Sequence, residues 1–254
     1  MKNTITYILL ILSFYSHASY FNHPNANEVI DELVGVHGFD AAYVKDVFEN
    51  ATKQQKIIDS ISSPAEFTWT WERYKKLFIE DKRIINGKKF IRNNIDTLEK
   101  AEQEFGVPKE IIVAILGVET RYGKIMGSYR VIDSLMTLGF DYPRRSKFFK
   151  DELVKFFLLT RNNNLDIFEI KGSYAGAMGY GQFISSSYMA YAIDFDGDKS
   201  VDLFSSIDDA IGSIANYLKV HGWKRDGKIV SEVYLNNVRE IYKPQDSLSK
   251  FIPW

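Results

Sequence analysis

From Val107 to Gly123 the chain reads Val-Pro-Lys-Glu-Ile-Ile-Val-Ala-Ile-Leu-Gly-Val-Glu-Thr-Arg-Tyr-Gly. The run predicts a helix with an apolar face that the rest of the chain must cover. Pro108 suits its first turn, where the missing N–H has no partner anyway. Ile112, Ile115 and Leu116 precede Glu119 by seven, four and three residues, so all four share one face. A carboxylate on such a face loses hydration, and that loss favours the protonated acid. A carboxylic acid kept neutral near pH 7 is what general-acid cleavage of a glycosidic bond requires. The alternative is that Glu119 merely ends the apolar face and pairs with Arg121 or a lysine.

The chain has 254 residues, enough for one large domain or two small ones. Apolar residues make up 45% and charged residues 26%, ordinary values for a water-soluble globular protein. A net charge of -1 points neither to nucleic acid nor to anionic membrane as the main partner. Aromatic residues reach 15%, which suits stacking on sugars and suits an aromatic core equally well. Residues 1–18 have the pattern of a secretory signal peptide: Lys2, an apolar stretch from Ile5 to Tyr15, then Ser16-His17-Ala18. The apolar stretch is short for a membrane span, although an uncleaved N-terminal anchor is the alternative. No cysteine is present, which excludes disulfides and a lipid anchor on cysteine. The expectation is an exported protein without a stable membrane anchor.

Residues 19–30 are polar and read as a short flexible lead. Helical spacing begins near Val29 and recurs over Phe39 to Phe48 and Gln54 to Ile61. Ser63 is a candidate N-cap, with Glu66 three residues later and Trp69, Trp71 and Tyr74 beyond. Lys89 to Phe105 reads as amphipathic and leads into the Glu119 helix. Residues 147–160 and Asp208 to Val220 are further helices. Lys228 to Tyr234 is the best strand candidate. The class is mainly α.

Three more segments carry chemistry. Lys171 through Phe183 holds four glycines in ten residues, marking backbone that bends tightly or admits a ligand closely. Gln182 and Phe183 end it, an amide beside a ring, which suits an amino sugar; an ordinary glycine-rich turn is the alternative. Asp194, Asp196 and Asp198, with the Ser200 carbonyl, occupy positions 1, 3, 5 and 7 of a calcium loop. The match is imperfect, because Lys199 stands where an EF-hand has glycine and Ser205 where it has glutamate. The closing carboxylate would come from Asp208 or Asp209. All these ligands are hard oxygens, which favours Ca²⁺ over softer metals; a solvated acidic turn is the other reading. Lastly, Tyr142-Pro143-Arg144-Arg145 places two guanidinium groups where they could hold carboxylates of a wall glycan.

Together these segments resemble the lytic murein transglycosylase B family. The matching stretches are Gly117 to Gly123, Asp141 to Arg145, Lys171 through Phe183, Ser186-Ser187-Tyr188, Asp194 through Asp198, and Asp209 to Tyr217 leading to His221-Gly222-Trp223. The family usually has tryptophan where this chain has Tyr122. The resemblance implies a mainly α (α+β) lysozyme-like fold with an EF-hand-like calcium loop. It implies non-hydrolytic cleavage of the MurNAc–GlcNAc β-1,4 bond of peptidoglycan in the periplasm, with Ca²⁺ structural and no cofactor for catalysis. Glu119 falls at the catalytic glutamate. Tyr74, Arg144, Arg145, Ser173, Gln182, Phe183 and Tyr217 fall at glycan-contacting positions, and Asp194, Asp196, Asp198, Ser200 and Asp209 at calcium positions. The implied layout is a signal peptide at 1–18, an N-terminal helical region at 19–105, a catalytic core at 106–224 and a tail at 225–254. Family members usually run well past His-Gly-Trp, so part of one groove wall is expected to be missing here. A glycan-binding remnant without activity, and a lysozyme-type muramidase using water, are the competing functions.

Overall fold

The structure, a computed structural model, describes residues 19–63 and 70–230. The signal-peptide pattern at 1–18, Pro64 to Trp69 and residues beyond 230 lie outside the described residues.

The described chain is mainly helical. After a 3-10 turn at Tyr20–Asn22 come α1 (Asn27–Asp31), which continues as a π turn (Glu32–Val36), then α2 (Ala41–Asn50), α3 (Gln55–Ser62) and α4 (Trp71–Phe78). Next are α5 (Asp81–Asn93), α6 (Ile95–Phe105), α7 (Lys109–Thr120), α8 (Val131–Asp141) and α9 (Ser146–Asn162). The last are α10 (Ser185–Tyr191) and α11 (Ile207–Val220). The sheet is minimal: β1 (Tyr129–Arg130) pairs antiparallel with β2 (Lys171–Gly172), Tyr129 facing Gly172. No described helix is long and apolar enough to cross a membrane.

Local chemistry sets the helix ends. Asp40 caps α2 through a bond from the Tyr43 N–H, and Thr70 caps α4 through one from Arg73. Gly106 ends α6 in the left-handed conformation at φ 72°. The segment 89–105 is two helices rather than one, because Asn94 (φ -127°, ψ 30°) breaks the ladder between α5 and α6. Ser63 follows the last residue of α3, and the helix start read at Ser63 to Glu66 lies outside the described residues. Residues 228–230 form no strand.

The polar lead is also more ordered than its composition suggests. Tyr20 and Ala26 are buried, and the Tyr20 hydroxyl donates to Asp141 at 2.7 Å. Burial pushes that phenol above the ordinary tyrosine range.

A single core cluster runs from Tyr20 through Phe48, Leu98, Leu116 and Leu138 to Ile211. At its centre lies α8, buried at every position from Val131 to Phe140. Its polar members are paired: Asp133 takes Arg130 Nη2 and the Thr52 N–H, each at 2.8 Å, and Ser134 Oγ donates to the Arg130 carbonyl. Helices α7 and α11 pack on one another and line a common cleft.

Candidate active site

Glu119 stands in the last turn of α7. The helix forms because Ile112, Val113 and Leu116 are driven into the core, leaving Ile115 and Glu119 on the flank that faces a cleft. Opposite, Ile214 and Tyr217 project from α11, while Gln182 and Phe183 come from the glycine-rich loop and Ser187 from α10. The cleft holds about 410 Å³, within the range of small-ligand sites.

Among the described residues, Glu119 has no hydrogen bond or ion pair and is the one carboxylate lining the cleft. Pairing with Arg121 does not occur, since the Arg121 guanidinium lies 2.8 Å from Glu80. Glu119 is exposed at the cleft mouth, with Ile115, Phe183 and Ile214 among the apolar residues lining the same cleft. Burial, the one cause at work, raises its pKa above the ordinary glutamate value of 4.5.

Thr120 is fully buried and ties this helix end to the loop opposite. Its hydroxyl lies 2.9 Å from the Tyr180 carbonyl and accepts the Gly123 N–H at 2.9 Å. The loop then doubles back, with Met178 and Phe183 exchanging both main-chain bonds. Gly179, at φ 68°, needs to be glycine because a Cβ there would strike the Leu203 carbonyl. Gly172 likewise admits close backbone, the Ala177 carbonyl, whereas Gly176 and Gly181 make room for the Leu135 and Phe183 side chains. Gln182 sits in the left-handed region at φ 50°. Its Nε2 donates to Met126 O at 3.1 Å and Gly179 O at 3.0 Å, so the donor end fixes the loop. Phe183 is buried edge-on to Tyr217 at 5.8 Å, and Tyr217 stacks on His221 at 4.0 Å.

The other expected glycan residues lie apart from this cleft. Ser173 Oγ accepts the Ala175 and Ala177 N–H groups, a turn-forming role. Tyr74 lines a separate hollow with Trp71, Phe78 and Val118, the last being the residue before Glu119. Arg144 and Arg145 are exposed on the 3-10 turn Pro143–Arg145, where Arg145 stacks over Phe148 at 4.1 Å. Sequence reasoning placed Ile115 beside Glu119 but missed Ile184, Ile214 and Leu218 as cleft walls. The Ile214, Tyr217, Leu218 spacing of three and four was the available signal.

Asp194, Asp196 and Asp209 bring one carboxylate oxygen each within 4.8 Å of the others. Asp198 falls outside that group and accepts the Ser200 N–H at 2.7 Å. Asp208 accepts the Thr97 hydroxyl at 2.6 Å, and Asp209 is the one of the two that joins Asp194 and Asp196. Asp209 is buried and accepts N–H groups from Phe195, Asp196 and Asp202. Lys199 takes φ 75°, the left-handed conformation an EF-hand assigns to glycine, and its N–H donates to Asp194. Three clustered carboxylates on a preformed turn fit a hard divalent cation.

The family described as Transglycosylase SLT domain matches residues 22–250. The chain belongs to this family. Membrane-bound lytic murein transglycosylase B of Escherichia coli (strain K12) is 43% identical over 217 residues, which are 82% of this chain and 60% of that protein. The chain thus spans less than two thirds of that relative's length. Soluble lytic transglycosylase SltB1 from Pseudomonas aeruginosa aligns with a TM-score of 0.77 at 47% identity, covering 81% of this chain and 69% of that one. The Escherichia coli lytic transglycosylase Slt35 in complex with calcium aligns with a TM-score of 0.76 at 44% identity, covering 82% and 66%. The mainly helical, lysozyme-like architecture is shared with these transglycosylases.

Proposed function

We propose that the chain is a lytic transglycosylase that cleaves the MurNAc–GlcNAc β-1,4 bond of peptidoglycan and leaves 1,6-anhydroMurNAc ends. One observation carries the reading: the cleft presents a lone carboxylate, Glu119, without a partner and with burial favouring its protonated form. A glycosidase that uses water generally needs two carboxylates across the scissile bond. A transglycosylase needs one.

In the first step the Glu119 carboxylic acid gives its proton to the bridging oxygen as the C1–O bond breaks. The electron pair leaves with GlcNAc as an alcohol, and the substrate's N-acetyl group stabilises the electron-poor C1. In the second step the Glu119 carboxylate takes the proton of the MurNAc 6-hydroxyl while that oxygen bonds to C1. Glu119 ends protonated, as it began, and no water is consumed. The raised pKa suits both directions of transfer. Phe183 and Tyr217 offer ring faces and edges for sugar, and Thr120 holds the helix end against the loop.

The acidic loop, in this reading, holds Ca²⁺ through Asp194, Asp196 and Asp209, with Asp198 and the Ser200 carbonyl as the remaining ligands. The ion would brace the turn that precedes α11, and no catalytic step involves it. The 1–18 pattern supports export to the periplasm. The segment 106–224 is read as the catalytic core, with Tyr74, Ser173, Arg144 and Arg145 serving glycan bound beyond the Glu119 cleft.

The test is digestion of peptidoglycan sacculi with mass spectrometry of the soluble products. Products lighter by one water than hydrolysed muropeptides are expected. Reducing-end products would assign a muramidase instead, and sacculi bound but intact would assign a binding protein.

A further inference from the structure

A second hollow, about 150 Å³, lies beside the C-terminal turn of α7 and the start of α5. Lys82, Arg83, Arg121 and Lys124 line it against a single carboxylate, Glu80. Arg83 is the telling residue. Its side chain is 9% exposed, and Nε and Nη1 have no hydrogen-bond partner among the described residues. Glu80 Oε1 lies 3.8 Å from Nε, beyond bonding distance, and forms no hydrogen bond itself, although Arg121 Nη1 pairs with it as an ion at 2.8 Å. The arginine is nonetheless held: its carbonyl accepts the Tyr122 hydroxyl at 2.9 Å, and its guanidinium lies over Phe78 at 5.5 Å.

A buried guanidinium with idle donors is costly, and buried polar groups are as a rule paired. Four cations facing one carboxylate make the unmet partner an anion. The volume is well below that of sites that enclose drug-sized ligands, so a sugar ring does not fit and a carboxylate or phosphate does. The planar fork of arginine matches both.

We propose that this hollow is an oxyanion site, occupied by a carboxylate of the peptide carried on the glycan strand. The choice of a murein peptide as the source rests on the function proposed above. Arg121 and Tyr122 follow Glu119 by two and three residues. An anion held there would therefore set the register of the strand relative to Glu119.

Calorimetry with the full chain tests this, using inorganic phosphate and then the GlcNAc–MurNAc disaccharide with and without its peptide. Phosphate should bind wild type. Arg83→Met, which keeps the aliphatic stem, should weaken it about tenfold or more, since charge-assisted bonds are lost. Lys124→Ala, at an exposed position, should weaken it less while leaving the melting temperature unchanged. The peptide-bearing disaccharide should bind more tightly than the bare one and compete with phosphate. Phosphate binding with equal affinity for both disaccharides would overturn the peptide assignment and leave a site for a free oxyanion. No phosphate binding, or equal binding by Arg83→Met and Lys124→Ala, would overturn the site altogether. Sacculus digestion separates this from the function itself. Anhydro products without phosphate binding defeat the oxyanion site alone, and phosphate binding without anhydro products defeats the transglycosylase reading alone.

Discussion

Glu119 and Asp209 are both carboxylates whose pKa burial raises, and they sit in opposite kinds of surroundings. Asp209 is enclosed and accepts three main-chain N–H groups, which pull its pKa back down. Glu119 opens onto a cleft and accepts nothing. A carboxylate that accepts three main-chain N–H groups is framework, because it fixes the chain around it. A carboxylate left bare beside apolar walls is unstable as an anion and ready to hold a proton. The sequence shows each simply as an acidic residue in a motif; the bonding separates their roles.

Exchanging the side chains sharpens that contrast. Glu119→Gln should cut release of soluble muropeptides at least about 100-fold, since the amide cannot act as the acid. Sacculus binding and the fold should persist, and turnover within tenfold of wild type would remove Glu119 from its role.

Asp209→Ala should do the reverse. Three N–H groups lose their acceptor at about 1–3 kcal/mol each, so chemical denaturation should show a loss of at least about 3 kcal/mol. A variant as stable as wild type would mean that the carboxylate is not framework.

Calcium sharpens the comparison further. At about 100-fold excess over its Kd it should stabilise the chain by about 2.7 kcal/mol, with Asp196→Ala abolishing the shift. Identical melting in EDTA and in millimolar Ca²⁺ would refute the ion site.

The smallest effect is the pH dependence of Glu119 itself. Its folded pKa is above the unfolded one, so the folded state holds the proton more tightly. The associated stability is fully present below the unfolded value and is lost as pH rises through the folded pKa. Glu119→Gln should therefore melt slightly higher than wild type at neutral pH, with the gap closing in acid. A gap independent of pH would contradict the raised pKa of Glu119.

The amphipathic helices were legible because their burial is one-sided. The spacing over 147–160 and over Asp208 to Val220 anticipated α9 and α11 within two residues. Helix α8 was not legible. Buried on all sides, it shows no polar face, and Asp133, Ser134 and Thr137 read as surface until their partners are seen. Glu119, Gln182, Phe183 and Tyr217 were found from motifs and do meet in one cleft. Ser173 came from the family resemblance alone, and the turn its hydroxyl supports is visible only in the structure. The Asn94 break is invisible to periodicity, since apolar spacing continues across it.

One carboxylate suffices only where water is not the nucleophile. Digesting sacculi in heavy-oxygen water addresses this directly. The account predicts muropeptides lighter by one water and free of heavy oxygen at C1. Heavy oxygen at a reducing-end MurNAc would contradict it and require a second catalytic group that the described cleft does not contain.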